Sequence, residues 1–280
     1  MNVANVAAFS DGDAGGNPAG VVLCDTLPSA EEMQAVAAEV GYSETAFSAR
    51  EGEVWRTRYF APEMEVPFCG HATIALGAVL ALNHGDGVYP LQLNETAISV
   101  EGRRDGDRLT AALQSPTTRS APATADQVQA ALALFGYTAA DLDPRIPPAQ
   151  VNGGAAHLLL ALADRAALSA MKYDLAAGQV LMREHGWVTI SLVHAETERL
   201  FHARNPFAAG GVYEDPATGA AAAAFSGYLR DLDWPHGGSI EIIQGEDMGA
   251  KSRLFAQITP EKGASIRVSG AARLMKPLGA

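Results

Sequence analysis

The chain has 280 residues, a formal net charge of -12 and a pI near 5.0, with 48% hydrophobic and 19% charged residues and a mean hydropathy of +0.03. That length can bury one large core or two ordinary ones, and the composition is that of a compact soluble protein rather than a disordered or fibrous one. The acidity and the lack of any Lys/Arg block argue against nucleic acid or an anionic membrane as partner, so an anionic substrate would have to be met by a local device inside a cleft.

Cys24 and Cys69 are too few for a disulfide scaffold and fit a reducing compartment. The first residues carry no basic stretch followed by an apolar one, as a secretory signal would. The longest apolar run, Ala72 to Leu82, is far short of the roughly 20 residues that span a bilayer. A cytoplasmic location is the expectation.

The opening "VANVAAFSDGDAGGNPAGVVLCDTL" reads as a strand, a glycine-rich turn and a second strand. In "PSAEEMQAVAAEVG" a helix is marked by a Ser29–Glu32 capping box, an apolar face of Met33, Val36, Ala37 and Val40, and a stop at Gly41. "YSETAFSA" and "VWRTRYFA" read as strands. From Glu65 to Gly85, "EVPFCGHATIALGAVLALNHG" puts Cys69, Gly70 and His71 at the mouth of a long, almost purely apolar helix. "AISVEGRRDGDRLTAALQSP" reads as a hairpin around Asp105-Gly106.

The segment Ser115 to Asp126 lacks periodicity and is the candidate boundary, giving domains 1–117 and 118–280, the last residues being free to return to the first. Beyond it the expectation is a helix from about Asp126 to Phe135, a strand "AHLLLALA", a helix around Ala163 to Met171 and a strand "WVTISLVH". After "GGVYEDPATG" comes a second apolar helix to about Asp231, then strands near Ser239–Gln244, Lys251–Thr259 and Ser265–Ser269. Short strands of mixed spacing with few helices indicate an α+β protein. No G-x-G-x-x-G follows a strand and no P-loop occurs, so a nucleotide-phosphate loop is not supported.

An internal repeat links the two halves. An offset of 149 residues, from Glu65 to Glu214, also aligns Pro67 with Pro216, Gly70 with Gly219, Ala72 with Ala221, Ala75 with Ala224 and Leu80 with Leu229. Each half carries E-x-P-x-x-G-x-A before a helix without a polar stripe, which should therefore be buried all round. Glycine in the first turn leaves backbone N–H groups pointing into open space, a local anion site. Two such starts, one per domain and facing each other, would hold a small carboxylate without surface charge.

The stretches "GNPAGVVL", "SETAF", "RYFAPEMEVPFCGHAT", "EDPATGAAAAA" and "QGEDMGAKSRL" occur in order over essentially the whole chain and resemble the PhzF-like family, named after an isomerase of phenazine biosynthesis. The resemblance implies the diaminopimelate-epimerase-like fold: two pseudo-equivalent domains, each a mixed β-sheet rolled around a central apolar helix. It further implies an isomerase that needs no cofactor, commonly a homodimer; with the paired helix starts, its substrate is expected to be a small anionic or zwitterionic carboxylate. Glu44, in "SETAF", matches the family's general acid/base, a role that partial burial favours by raising the carboxyl pKa. His71 and Asp215 match its polar cleft partners. The backbone amides of Gly70, His71, Gly219 and Ala220 would receive the carboxylate, and Asn17 would shape the cleft floor. Better-known members carry a serine where this chain has Ala220, which points to a related but different substrate.

Two other readings remain. A two-base epimerase of the same fold uses a thiol at each helix start; Cys69 occupies the first position, but Thr218 stands at the second and Cys24 lies far upstream. A non-catalytic small-molecule-binding homologue is the other, against which the joint presence of Glu44, His71 and Asp215 argues. Histidines 71, 84, 157, 185, 194, 202 and 236 form no H-x-x-x-H pair, so no metal site is expected.

Overall fold

The computed structural model describes residues 1–276. They divide into two compact units, Met1–Gln114 with the chain from Val268 onward, and Ser115–Arg267. The divisions fall inside strands, one of them the strand that ends at the 117/118 boundary expected above.

The first unit contains β1 (Ala4–Ala8), β2 (Asn17–Cys24), α1 (Ala30–Val40), β3 (Thr45–Glu51), β4 (Val54–Phe60), β5 (Glu65–Val66), α2 (Gly70–His84), β6 (Gly87–Gln92), β7 (Ala97–Asp105) and the start of β8 (Arg108–Thr117). The punctuation of α1 is local. Ser29 and Glu32 make the reciprocal capping box and Gly41 closes the helix at φ 69°. Met33 and Ala37 then pack with Val22, Phe47 and Phe60. The β7–β8 hairpin turns directly after Asp105, which pairs with Arg108.

Every residue of α2 from Gly70 to Ala81 is buried. The helix packs against β1, β2, β3, β6 and β7, which is what an apolar helix without a polar stripe requires. Its closest approach is to β7. A Cβ on Gly102 would overlap the Gly77 carbonyl oxygen and come within 3.0 Å of Ala81 Cβ. Because these are backbone and helix-core atoms, Gly102→Ala is expected to destabilise the protein by about 3 kcal/mol, the upper end of overpacking costs. Urea unfolding would show this as a lowered midpoint, and an unchanged midpoint would mean that β7 can retreat.

The second unit contains the end of β8, β9 (Arg119–Pro122), α3 (Ala125–Phe135), β10 (Ala149–Asn152), β11 (Ala156–Ala161), α4 (Arg165–Ser169), α5 (Leu175–His185), β12 (Thr189–Ala195), β13 (Leu200–Phe207), β14 (Val212–Asp215), α6 (Gly219–Asp231), β15 (Ser239–Gln244), β16 (Ser252–Gln257) and the start of β17 (Ser265–Leu274). Residues Gly219 to Arg230 of α6 are all buried, and the helix packs against β9, β10, β11 and β16. A second cluster joins Leu158, Leu160, Ile190 and Leu192 of the strands to Phe135, Leu168, Met182 and Trp187.

The two units share one plan. β2 and β3 pair in parallel across α1, β3 and β4 are antiparallel, β5 folds back on β4, and β6 lies parallel to β4 with β7 antiparallel to it. Likewise β11 and β12 pair in parallel across α4 and α5, β12 and β13 are antiparallel, β14 folds back on β13, and β15 lies parallel to β13 with β16 antiparallel to it. In each, the buried helix follows the short returning strand.

Several elements differ from the sequence reading, and each has a local reason. The helix expected around Ala163 to Met171 is only Arg165–Ser169, and α5, which follows it, was not anticipated. That helix is well capped, by Asp174 and Gly186, but its fully buried residues are only Gly178 and Met182, so it shows little apolar periodicity. Strand β13 carries His202, Arg204 and Asn205 inside the protein, which masks its strand pattern. The segment Ser115 to Asp126, to which the sequence reading assigns no elements, holds the end of β8 and all of β9. β6, β10 and β14 were also unanticipated, and β17 runs past Ser269 to Leu274.

Candidate active site

Glu44 stands just ahead of β3. Its carbonyl accepts a hydrogen bond from the Gly20 amide at 3.3 Å, and Thr45 pairs with Gly20 in the parallel β2–β3 ladder, so the backbone on both sides of the carboxylate is held. The side chain is not the solvated one that a strand-end glutamate usually is. Glu44 is 8% exposed, and burial pushes its carboxyl above the ordinary range, opposed by hydrogen bonds from Ser43 and Cys69. Its Oε2 has no hydrogen-bond partner among the described residues, and His71 Nε2 lies 3.3 Å away as an ion-pair neighbour.

His71 is placed by the first turn of α2 and is 4% exposed. Its Nε2 is 3.3 Å from Ser43 Oγ, and its Nδ1 is 3.4 Å from Cys69 Sγ. Below this cluster the Thr73 hydroxyl donates to the Cys69 carbonyl at 2.6 Å and meets Tyr59 OH at 2.6 Å, anchoring the helix start to β4. Cys69, which sequence placed in a helix start with Glu44 elsewhere, is thus a direct neighbour of both Glu44 and His71. Ligand atoms of these three residues lie within 4.8 Å of one another, a grouping that histidine and cysteine spacing did not suggest. Such atoms could bridge a cation with one tetrahedral position left over. The contacts to His71 have hydrogen-bond lengths, so the cluster coheres without one. Asn17, the first residue of β2, is buried and pairs with Ala8.

The second unit offers a different polar set. Asp215 ends β14, is buried, and accepts the hydroxyl proton of Thr218. Gln244, at the end of β15, clamps this corner: its Oε1 accepts from the Thr218 amide at 3.1 Å, and its Nε2 donates to the Asp215 carbonyl at 2.7 Å and to Thr218 Oγ1 at 3.0 Å. Sequence reasoning quoted "QGEDMG" without giving Gln244 a role. A buried glutamine at the end of an apolar strand was the available signal.

Cys69 and Thr218 are the N-caps of α2 and α6, and neither side chain makes a capping bond. The first residues inside are Gly70 and His71 in one helix and Gly219 and Ala220 in the other, as the 149-residue offset requires. The repeated glutamate is structural in both halves. Arg58 grips Glu65 through two bonds of 2.8 and 2.6 Å, and Arg204 grips Glu214 through two of 3.0 and 2.5 Å, each pair tying the returning strand to its neighbour ahead of the helix. The Glu44 carboxylate is not repeated. Thr189 pairs with His157 as Thr45 pairs with Gly20, so the counterpart of Glu44 is Val188.

Residues 6–276 match the family described as "Phenazine biosynthesis-like protein". This chain belongs to that family. It is 33% identical to the trans-2,3-dihydro-3-hydroxyanthranilate isomerase of Pseudomonas aeruginosa, covering 95% of this chain and 94% of the relative. A PhzF-family phenazine biosynthesis protein of Bacillus anthracis superposes with a TM-score of 0.84 at 22% identity, over 99% of this chain and 98% of the other. A probable proline racemase of Agrobacterium radiobacter K84 shares the fold alone, with a TM-score of 0.68 at 10% identity over 98% and 90% of the two chains. The fold is therefore α+β and diaminopimelate-epimerase-like, and the protein is an isomerase of the PhzF-like family. No helix among the described residues is long and apolar enough to cross a membrane.

Proposed function

We propose that the protein moves a proton between two carbons of a small carboxylic-acid metabolite without a cofactor, with Glu44 as the general acid/base. The observation that carries this reading is the buried Glu44 carboxyl, its pKa raised by burial and its Oε2 without a hydrogen-bond partner beside His71. Burial raises the Glu44 carboxyl above the ordinary range, which makes it a stronger base toward a carbon-bound proton and lets its protonated form, after exchange with solvent, deliver a proton to another carbon. His71 would adjust its hydrogen bonds as charge moves on the substrate. Gly70 and His71 at the uncapped start of α2, and Gly219 and Ala220 at that of α6, are assigned to anionic groups. Asp215, presented by Gln244 and Thr218, is assigned to an amino or hydroxyl group of the substrate, and Asn17 to the shape of the site.

The P. aeruginosa relative is named for trans-2,3-dihydro-3-hydroxyanthranilate, so the proposed substrate is a cyclic or amphiphilic carboxylate of that kind. Ala220 lacks a hydroxyl with which to contact it, which favours a related molecule over that compound itself. A cytoplasmic homodimer belongs to the same proposal.

Cys69 supports a second reading, since an N-cap thiol 3.4 Å from His71 is placed for thiolate formation. Its counterpart Thr218 has no thiol to serve the opposite face of a carbon. In deuterium oxide with trans-2,3-dihydro-3-hydroxyanthranilate or an amino acid as substrate, carbon-bound deuterium should appear, and Cys69→Ser should keep it within about threefold. A loss of about 100-fold or more in that variant would transfer the role to the thiol.

A further inference from the structure

Among the described residues, Glu44, Cys69 and His71 are the one grouping of three side chains whose metal-ligating atoms converge, all within 4.8 Å of one another. Their spacing fits a coordination polyhedron more closely than mere proximity requires. Tetrahedral zinc, with bonds of about 2.0 Å to nitrogen or oxygen and about 2.3 Å to sulfur, sets its nitrogen and oxygen ligands about 3.3 Å apart and its nitrogen and sulfur ligands about 3.5 Å apart. His71 Nε2 stands 3.3 Å from Glu44 Oε2 and 3.9 Å from Cys69 Sγ. A small rotation of the Cys69 side chain, which makes no capping bond to α2, closes the second distance.

The donor set selects the ion. A thiolate, an imidazole and a carboxylate suit zinc or another thiophilic divalent cation, whereas magnesium and calcium take oxygen ligands. Thiolate and carboxylate together carry two negative charges, which a divalent cation cancels, so the buried group is neutral once the ion binds. Glu44 Oε2, in a side chain 10% exposed, has no hydrogen bond to give up. The three groups shield one another from water, but a bare ion is smaller than a water molecule and enters between the donors instead of filling a cavity beside them. The backbone beneath them is held, since the Cys69 carbonyl accepts from the Thr73 amide at 3.1 Å and from its hydroxyl at 2.6 Å.

We propose that Glu44 Oε2, Cys69 Sγ and His71 Nε2 bind one thiophilic divalent cation, with Zn²⁺ the best match, and leave the fourth tetrahedral position to water. The thiol proton is released to solvent as the sulfur–metal bond forms. The ion takes the lone pair that Glu44 would use on a carbon-bound proton, so bound metal stops turnover. That consequence rests on the reading of Glu44 as the base, whereas the site itself does not.

Co²⁺ added to the full chain reports on the ligands directly. A tetrahedral thiolate site gives an intense near-ultraviolet sulfur-to-cobalt band, which should saturate at one equivalent, persist in Cys24→Ser and vanish in Cys69→Ser. Zn²⁺ should displace the cobalt, and Cys69→Ser should bind Zn²⁺ about 100-fold more weakly than wild type, or worse. The cobalt spectra of wild type and Cys24→Ser decide the matter even where Cys69→Ser fails to fold. In deuterium oxide with trans-2,3-dihydro-3-hydroxyanthranilate, Zn²⁺ should abolish carbon-bound deuterium incorporation and a chelator should restore it. Zn²⁺ bound through Cys69 while exchange continues would uphold the site and count against Glu44 as the base. No sulfur-to-cobalt band, a band lost in Cys24→Ser, or an unchanged Zn²⁺ affinity in Cys69→Ser would overturn the proposal.

Discussion

Replacing Glu44 by Gln is expected to lower turnover by about 100-fold to 10,000-fold and to abolish carbon-bound deuterium incorporation, while leaving the fold intact. The amide is nearly isosteric and keeps the contacts to Ser43 and Cys69 within reach, but it cannot exchange a proton. Wild-type activity should fall toward acid through the native pKa of Glu44, above the ordinary carboxylate range, because the deprotonated form is the base. Stability should move the opposite way. Native Glu44 holds its proton more tightly than in the unfolded chain, so its contribution to stability is fully present below its ordinary pKa of 4.5 and is lost as pH rises through the raised native value. Burial opposes the charged form of Glu44, so at pH 7 Glu44→Gln should be the more stable protein. That advantage should shrink on acidification to pH 4. Urea midpoints at the two pH values measure it, and a variant less stable at pH 7 would show that Glu44 is held there for structure rather than for chemistry.

The largest effect on stability is expected at Arg204. Its guanidinium and the Glu214 carboxylate are 8% and 2% exposed as side chains, and it also donates to the carbonyls of Ser169 at 2.8 Å and Met171 at 3.3 Å. Arg204→Met leaves Glu214 as an uncompensated buried charge and strips the segment after α4 of its donors, at a cost of about 3–5 kcal/mol. The same substitution at Arg58 tests the explanation, because that pair has identical bidentate geometry but side chains 21% and 27% exposed. Water can solvate Glu65 when Arg58 is gone, so Arg58→Met should cost only about 1 kcal/mol or less. Replacing Arg204 and Glu214 together by Met and Leu should recover much of the loss. Equal effects at the two arginines would show that the repeated pair acts through strand geometry and not through burial.

The repeated E-x-P-x-x-G-x-A motif illustrates how far one-dimensional pattern reaches. Its offset located both buried helices and their first residues, and the all-apolar character of α2 foretold that strands would surround it, because an apolar helix has no face it can leave in water. The glutamate of the motif was visible, but its arginine partners were not. Arg58 and Arg204 lie on preceding strands, and only the folding back of β5 and β14 brings each to its glutamate.

What the sequence alone determined about this protein is what short-range chemistry decides: the capping box and glycine stop of α1, the Asp105–Arg108 hairpin, the two apolar helices and their offset, and Glu44, His71 and Asp215 as residues worth attention. The tertiary structure decided the rest. It buried Glu44 and so raised its pKa, brought Glu44 to Cys69 and His71 across 25 residues of chain or more, and set Gln244 over the start of α6. It also stabilised α5 and β13, whose own patterns are too polar to announce them. Burial and hydrogen bonding between distant strands are sums over many residues, and no local stretch carries that information.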